Sequence, residues 1–372
     1  MFTRTGSIGL LPRGLLVALM VLLVGCAGPA SPVIPTPVGT SAPSKVATQA
    51  PAAPATPAPA AEAPRQLKNI SASYSNVVVD QLLPWIAQEK GLFKKYGLNV
   101  DLKLIESNAG VPALISGQTQ VAFIGGSEVL SAAVEGADLK MVGTLAPVFA
   151  FEFMAPKGVN TPEDLRGKRV GVSKFGSTSD IATRVALQKI GLVPGKDVEI
   201  VQVGSQANRT AAMASGAIQG AVTLYPDVGK LEKQGFHILF DLASLGIPAS
   251  SAGIAVNGAW ERSHPDEVQA IVNAIIEAGY VERTDKEFAK KVIKDYTKTS
   301  DDDLVNITYE YYVTKVHPKI PSVEPAQFQE TMDRLAKGNE KVKSFDLKKF
   351  LDNSYIDKAQ QSGLVEKLYG KQ

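Results

Sequence analysis

The chain has 372 residues, with 39 Lys plus Arg against 37 Asp plus Glu, 45% hydrophobic residues and one cysteine. That length allows one large domain or two modest ones; a formal charge of +2, with no basic run interleaved with aromatics, excludes a nucleic-acid partner held by phosphate contacts. A single cysteine rules out a disulfide framework or Cys-rich zinc site, and His237, His264 and His317 stand at least 27 positions apart, so no local motif calls for a metal.

The chain opens like an export address. Arg4 and Arg13 precede an uncharged, mostly apolar stretch over residues 14–25. Its 12 residues are too few for a hydrocarbon core, which needs about 20, but suit a signal-peptide h-region. Leu23-Val24-Gly25-Cys26 resembles a bacterial lipobox, in which small residues admit a peptidase and the thiol takes a diacylglycerol. We therefore expect a lipoprotein signal peptide over 1–25 and lipidation at Cys26, which would anchor the exported chain to a bacterial membrane. An ordinary secretory signal with a chance cysteine is the alternative. Residues 27–65 are 29 parts in 39 Pro, Ala, Thr and Ser. Too few large apolar groups are present to offset ordering entropy, so 26–65 reads as a disordered, semi-rigid spacer.

The body starts near Gln66. Short β-branched runs alternate with amphipathic stretches, giving candidate strands at 69–74, 98–105, 120–124, 139–145, 169–173, 197–203, 219–223, 236–240 and 253–257. Helical signals between them predict α/β layering with mainly parallel sheets. Ser263 and Pro265 mark the start of a helix carrying Val268, Ile271, Val272, Ile275 and Ile276 as one apolar stripe. Beyond about residue 285 no convincing strand follows.

One internal echo shapes the architecture. Ala113-Leu114-x-Ser116-Gly117-x-x-Gln120-x-Ala122 returns 99 positions later as Ala212-Met213-x-Ser215-Gly216-x-x-Gln219-x-Ala221. Each copy reads as a helix stopped at Ser-Gly and followed by a strand. The expectation is two similar lobes, each with its own mainly parallel sheet. Convergent helix-stop chemistry is the other explanation.

In open parallel sheets, ligands sit beyond the carboxyl ends of the strands. Four loops there stand out: Tyr74-Ser75-Asn76, Ser107-Asn108-Ala109-Gly110, Gly125-Gly126-Ser127-Glu128 and Lys174-Phe175-Gly176-Ser177-Thr178-Ser179. The last combines a glycine, three hydroxyls and a helix start, which suits a small anion without a lysine. Bare N-capping by Ser177 or Ser179 would use only one hydroxyl. Tyr74 and Tyr225 each end a strand and could cover an apolar part of a ligand or stay half-buried in the core. Phe149 and Phe151 read as hinge packing. Arg209, one turn into a helix, reads as a solvated surface charge unless the ligand carries more negative charge than helix dipoles can meet.

These residues match a known pattern. The run from Leu83-Pro84-Trp85 through Gly91-Leu92-Phe93 to Gly97-Leu98, with Ser116-Gly117 to Gly126, Thr161–Val172, Gly176-Ser177-Thr178 and Asp352-Asn353-Ser354-Tyr355, resembles the nitrate, sulfonate and taurine substrate-binding proteins of ABC importers. Thiamine-pyrimidine-precursor proteins share the opening run. The resemblance implies a hinged fold of the type II periplasmic-binding-protein kind, with lobe I at 66–155 plus 255–372 and lobe II at 156–254. It implies a small-molecule solute trapped in the cleft by closure, a monomer, and a membrane permease as partner. Carried over by position, Tyr74, Asn76, Asn108, Gly126 and Ser127 would line one wall and Gly176, Ser177, Thr178, Ser179 and Tyr225 the other. The chain lacks the conspicuous charged anchor expected for taurine or nitrate, and Tyr225-Pro226-Asp227 replaces a more usual Trp-Asp-Pro-like run.

The sequence thus points to an extracytoplasmic solute-binding lipoprotein, without cofactor or metal, for a small organic anion of the sulfonate or carboxylate class. A pyrimidine-precursor binding or synthesis protein and a sensor subunit feeding a signalling receptor are the alternatives. An enzyme is disfavoured: the body has no cysteine, its histidines occupy turn, helix-start and strand settings, and no Gly-x-Ser-x-Gly, Walker or His-Glu-x-x-His motif occurs.

Overall fold

The computed structural model describes residues 66–371; the expected leader over 1–25, Cys26 and the 26–65 spacer lie outside them. The chain starts with β1 (Lys68–Tyr74), α1 (Leu82–Glu89), α2 (Leu92–Lys95), β2 (Leu98–Leu104), α3 (Ser107–Ile115), β3 (Val121–Ile124), α4 (Gly126–Val134) and β4 (Leu139–Val148). It crosses to β5 (Glu152–Ala155), β6 (Arg169–Val172), α5 (Thr178–Lys189), β7 (Glu199–Gln202), α6 (Gln206–Ala214), β8 (Ala221–Thr223), α7 (Asp227–Glu232) and β9 (His237–Asp241). It then returns through β10 (Pro248–Asn257), α8 (Gly258–Ser263), α9 (Pro265–Thr284), α10 (Lys286–Thr297), α11 (Asp302–Tyr311) and α12 (Gln329–Leu335).

Two five-stranded sheets result, ordered β2-β1-β3-β10-β4 and β7-β6-β8-β5-β9. They are wound alike. β1 pairs parallel with β2 and β3, as β6 does with β7 and β8. β10 runs antiparallel to β3 and β4, and β5 to β8 and β9. Each crossing thus delivers the one reversed strand of the sheet it enters. The mainly parallel, two-lobed α/β architecture is present, and we call the layers around the two sheets the first and second lobes.

The crossings fall earlier than the sequence suggests. β5 belongs to the second sheet although 152–155 was expected in lobe I, and β10 belongs to the first although 248–254 was expected in lobe II. β5 went unrecognised because Glu152 interrupts its apolar run, and the first half of β10 because Ala249-Ser250-Ser251-Ala252 carries no β-branched residue.

The internal echo is structural. Gly117 and Gly216 take φ of +75° and +74° after their helices, the left-handed stop that glycine takes without strain. Gln120 accepts from Ser71 N at 2.8 Å and donates to Gly117 O at 3.2 Å. Gln219 repeats this with Arg169 N at 3.2 Å and Gly216 O at 2.8 Å. In each lobe one glutamine therefore ties the helix stop to the neighbouring strand.

Behind the first sheet, α1 buries Leu82, Leu83, Trp85, Ile86 and Ala87, and Trp85 stacks on Tyr296 of α10 with centroids 4.6 Å apart. The expected stripe of α9 is buried, and Pro265 is its first residue. Ser263 is not its cap, however. Its hydroxyl donates to Ala259 O and Trp260 O and closes α8, leaving His264 at the N-cap position. Among the described residues no helix is long and apolar enough to cross a membrane.

Candidate functional site

The carboxyl ends of the parallel strands of both sheets converge on a cavity of about 50 Å³; one water takes roughly 10–15 Å³ by that measure. The first lobe contributes Ser75, Asn76 and Asp80 after β1, Glu106, Ser107 and Asn108 after β2, Gly125 and Glu128 after β3, and Ser251 of β10. The second contributes Ser173, Thr178 and Ser179 after β6, Gly204, Ser205, Gln206 and Arg209 after β7, and Leu224 after β8. Phe151 reaches the cavity from the first crossing.

The hydroxyl loop after β6 is knitted together. Ser173 Oγ donates to Ser177 Oγ at 2.8 Å, and Ser177 Oγ and Ser179 Oγ are 3.0 Å apart. Ser177 caps α5, accepting from Asp180 N at 3.3 Å. Asp180, buried in the first turn, accepts from Gly176 N at 2.9 Å and from Arg184 Nε at 2.7 Å. It also pairs across the lobes with Arg334 of α12 at 3.0 Å.

A second bridge between lobes runs from Thr178 Oγ1, which donates to Glu128 Oε2 at 2.8 Å. Gly125 permits this approach: a Cβ there would lie 2.2 Å from Thr178 Oγ1 and 2.4 Å from Glu128 Oε2.

Three ionisable groups at the cavity are buried. Asp80 is 2% exposed and Arg209 is 4% exposed. Burial pushes the Asp80 carboxyl up to about 7; Gln81 opposes the shift and the Glu128 charge adds to it. Burial also raises Glu128, against the hydrogen bond from Thr178. Burial lowers the Arg209 guanidinium to about 10, with the charges of Asp227 and Glu128 opposing, so it stays cationic at neutral pH. Its Nη1 donates to Gly204 O at 3.0 Å and its Nη2 to Gln206 Oε1 at 2.8 Å. Asn76 Oδ1, Asp80 Oδ1, Gln206 Nε2 and Arg209 Nε are buried with no protein partner.

Of the residues expected to line the cleft, Asn76, Asn108, Thr178 and Ser179 are brought to the cavity. The other six stand elsewhere. Tyr74 packs edge-on against Trp85 at 5.7 Å, and Tyr225 packs against Tyr311 at 4.9 Å with the rings tilted by 43°. Ser127 pairs with Thr331 at 2.8 Å. A Cβ on Gly126 would meet Ser250 Cβ at 2.6 Å, so this glycine serves packing. Gly176 forms a turn at φ +81°, and Ser177 is the cap.

Arg209 is the main correction: it is no solvated surface charge but a buried cation on the cavity wall. The echo held the signal, because position 110 is glycine where position 209 is arginine. Asp80 was also missed, although a carboxylate between Val77-Val78-Val79 and Leu82-Leu83 is a signal in itself, since an acid in an apolar run is seldom idle. Phe149 and Phe151 pack at the crossing as expected, and Phe151 also touches the cavity.

Comparison with known proteins places this geometry. Residues 83–283, over half of the chain, match the family model described as NMT1/THI5 like. The chain belongs to the NMT1/THI5-like family. A protein of Brucella abortus (strain 2308), provisionally named a binding protein, is 30% identical over 149 residues, 40% of this chain and 45% of the relative. The match thus spans less than half of that relative's length. Binding protein YtlA of Bacillus subtilis (strain 168), also provisionally named, is 23% identical over 61% of this chain and 70% of its own.

Solved structures share the fold of this family member. The alkanesulfonate-binding protein SsuA of Xanthomonas axonopodis pv. citri, bound to MOPS, is 21% identical with a TM-score of 0.62, covering 76% of this chain and 94% of that one. The periplasmic nitrate-binding protein NrtA of Synechocystis PCC 6803 is 14% identical with a TM-score of 0.66, covering 80% and 89%. The fold is that of the periplasmic binding proteins.

Proposed function

We propose that this NMT1/THI5-like protein is the extracytoplasmic solute receptor of an ABC importer, which captures a small organic anion between its lobes and delivers it to a membrane permease. The observation that carries this reading is the cavity walled by strand ends from both sheets. A solute that touches both walls favours the closed form by its differential affinity, whereas one touching a single wall shifts nothing. The chain segments 149–151 and 242–247 would act as the hinge, since they alone connect the strands of one sheet to those of the other.

The anionic group would face Arg209, Gln206 Nε2 and Ser179, near the starts of α5 and α6, whose helix dipoles favour negative charge. Names among the relatives and fold neighbours, binding protein, alkanesulfonate-binding and nitrate-binding, support a binding role rather than catalysis. Lipidation at Cys26 would hold the receptor at the membrane, with residues 26–65 as its tether.

Calorimetry and thermal shift on the purified protein, with small carboxylates, sulfonates and nitrate, test this. One carboxylate or sulfonate should bind at 1:1 and raise the melting temperature, and Arg209→Gln should weaken it at least tenfold. Absence of binding across that panel, or chemical turnover of a bound solute, contradicts the proposal.

A further inference from the structure

The two cavity walls have opposite polarity. The first lobe supplies Asp80, Glu106 and Glu128 and no cation, whereas the second supplies Arg209 and no carboxylate. The unpartnered atoms follow the same division: acceptors Asp80 Oδ1 and Asn76 Oδ1 on one side, donors Arg209 Nε and Gln206 Nε2 on the other. Asp80, Gln206 and Arg209 are 2%, 6% and 4% exposed. Buried polar atoms without partners are costly, and buried charges more so. A plain anion would satisfy the donors but leave Asp80 Oδ1 without a donor, and it would disfavour the ionised forms of Asp80 and Glu128 beside it. A plain cation would leave Arg209 unmet.

We propose that the solute is a small amino carboxylic acid in its zwitterionic form, with its ammonium on Asp80 and Asn76 and its carboxylate facing Arg209 and Gln206. The inference rests on the solute-receptor reading above and replaces its anion by a dipolar ligand of zero net charge, whose carboxylate alone is the anionic group. Such a ligand satisfies both sets of orphaned atoms and must touch both lobes, so the interactions that select it also close the cleft. At about 50 Å³ the space suits a ligand the size of glycine or β-alanine.

The sign of the pH dependence distinguishes the ligand classes. Asp80 is faced by Glu128 from α4 and by Tyr312 beyond α11, with Glu106 and Arg209 on the same cavity. An ammonium favours ionised Asp80, so binding expels a proton and tightens as pH rises through about 7. A bare anion beside the same carboxyls favours their protonated forms and binds more tightly as pH falls.

Calorimetry on the full chain with glycine, β-alanine, propionate and ethylamine at pH 6, 7 and 8 provides the test. We expect one of the two amino acids to bind at least tenfold more tightly than propionate or ethylamine, with affinity rising over that range. Asp80→Asn should cost at least tenfold for the amino acid while propionate binding is retained or tightened, which also shows that the variant folds. Propionate binding as tightly as the amino acids, with affinity rising toward pH 6, overturns the zwitterion while leaving the receptor intact. Failure of all four probes, together with the wider carboxylate and sulfonate panel, overturns both.

Discussion

Arg209 and Gly125 stand on opposite walls of the cavity. Arg209 is fixed by two carbonyl-type acceptors in a site that offers its Nε nothing, a poised cation rather than a structural pair. Gly125 is a point of close approach between the lobes. Gly125→Ala places a methyl 2.2 Å from Thr178 Oγ1, and overpacking of this kind costs about 1–3 kcal/mol. The clash with Thr178 arises between the lobes, whereas that with Glu128 Oε2 at 2.4 Å lies within the first lobe: solute affinity should fall roughly tenfold or more, and the melting temperature of the empty protein should fall as well. Calorimetry beside a thermal melt checks this. Asn76, Asn108, Thr178 and Ser179 reach the cavity because polar residues just past a parallel strand lie at the cleft end of a sheet, whereas Ser127 and Ser177, which lie there too, spend their hydroxyls on Thr331 and on capping α5. Asp80 and Arg209 each carried a sequence signal, an acid inside an apolar run and an arginine where the first copy of the echo has glycine, but their burial at the cavity depends on tertiary packing that local pattern does not carry.

At the scale of elements, α5 starts on Ser177, and replacing such a cap by alanine costs about 0.5–2 kcal/mol. Ser177→Ala should therefore lower stability by about 1 kcal/mol in urea unfolding while leaving Thr178 and Ser179 at the cavity. The hydroxyl-rich loop was readable as a helix start but not as a self-bonded cluster, since the Ser173 that completes it belongs to the preceding strand end. β5 carries the other test. Glu152 is 3% exposed, and burial, aided by Asp241 across the strand pair, pushes its carboxyl up to about 8. A carboxyl raised on folding keeps its proton in the native state while the unfolded chain loses it. Stability thus falls as pH rises from about 4.5, the ordinary value, toward 8. Glu152→Gln should be more stable than the parent at pH 8.5, by an amount of the order of a kcal/mol, with the difference vanishing near pH 4.5. Urea midpoints at the two pH values decide it.

Across the whole molecule, side-chain bridges from Thr178 to Glu128 and from Arg334 to Asp180 join the lobes beside the cavity, with the backbone bond from Val79 N to Tyr225 O and the Lys233–Asp301 ion pair adding to them. The architecture was legible from the echo and the strand spacing, because a helix stop and strand repeated at a fixed interval leave few other folds. The crossings were not, because the short polar or interrupted strands that make them carry weak periodicity. Arg334→Ala leaves Asp180 with Arg184 on its own helix and removes only the interlobe partner, so it should lower solute affinity about three- to tenfold without altering the cavity wall.

The central claim is that a solute bridging both walls draws the lobes together, and a distance measurement tests it most directly. Ile115 and Val193, exposed positions beside the first and second sheets respectively, can carry spin labels through cysteines in a Cys26→Ser background. Pulsed dipolar spectroscopy should show a broad or longer distance for the empty protein and a single, distinctly shifted distance at saturating solute. An identical distribution with and without a solute that calorimetry shows to be bound would contradict the account.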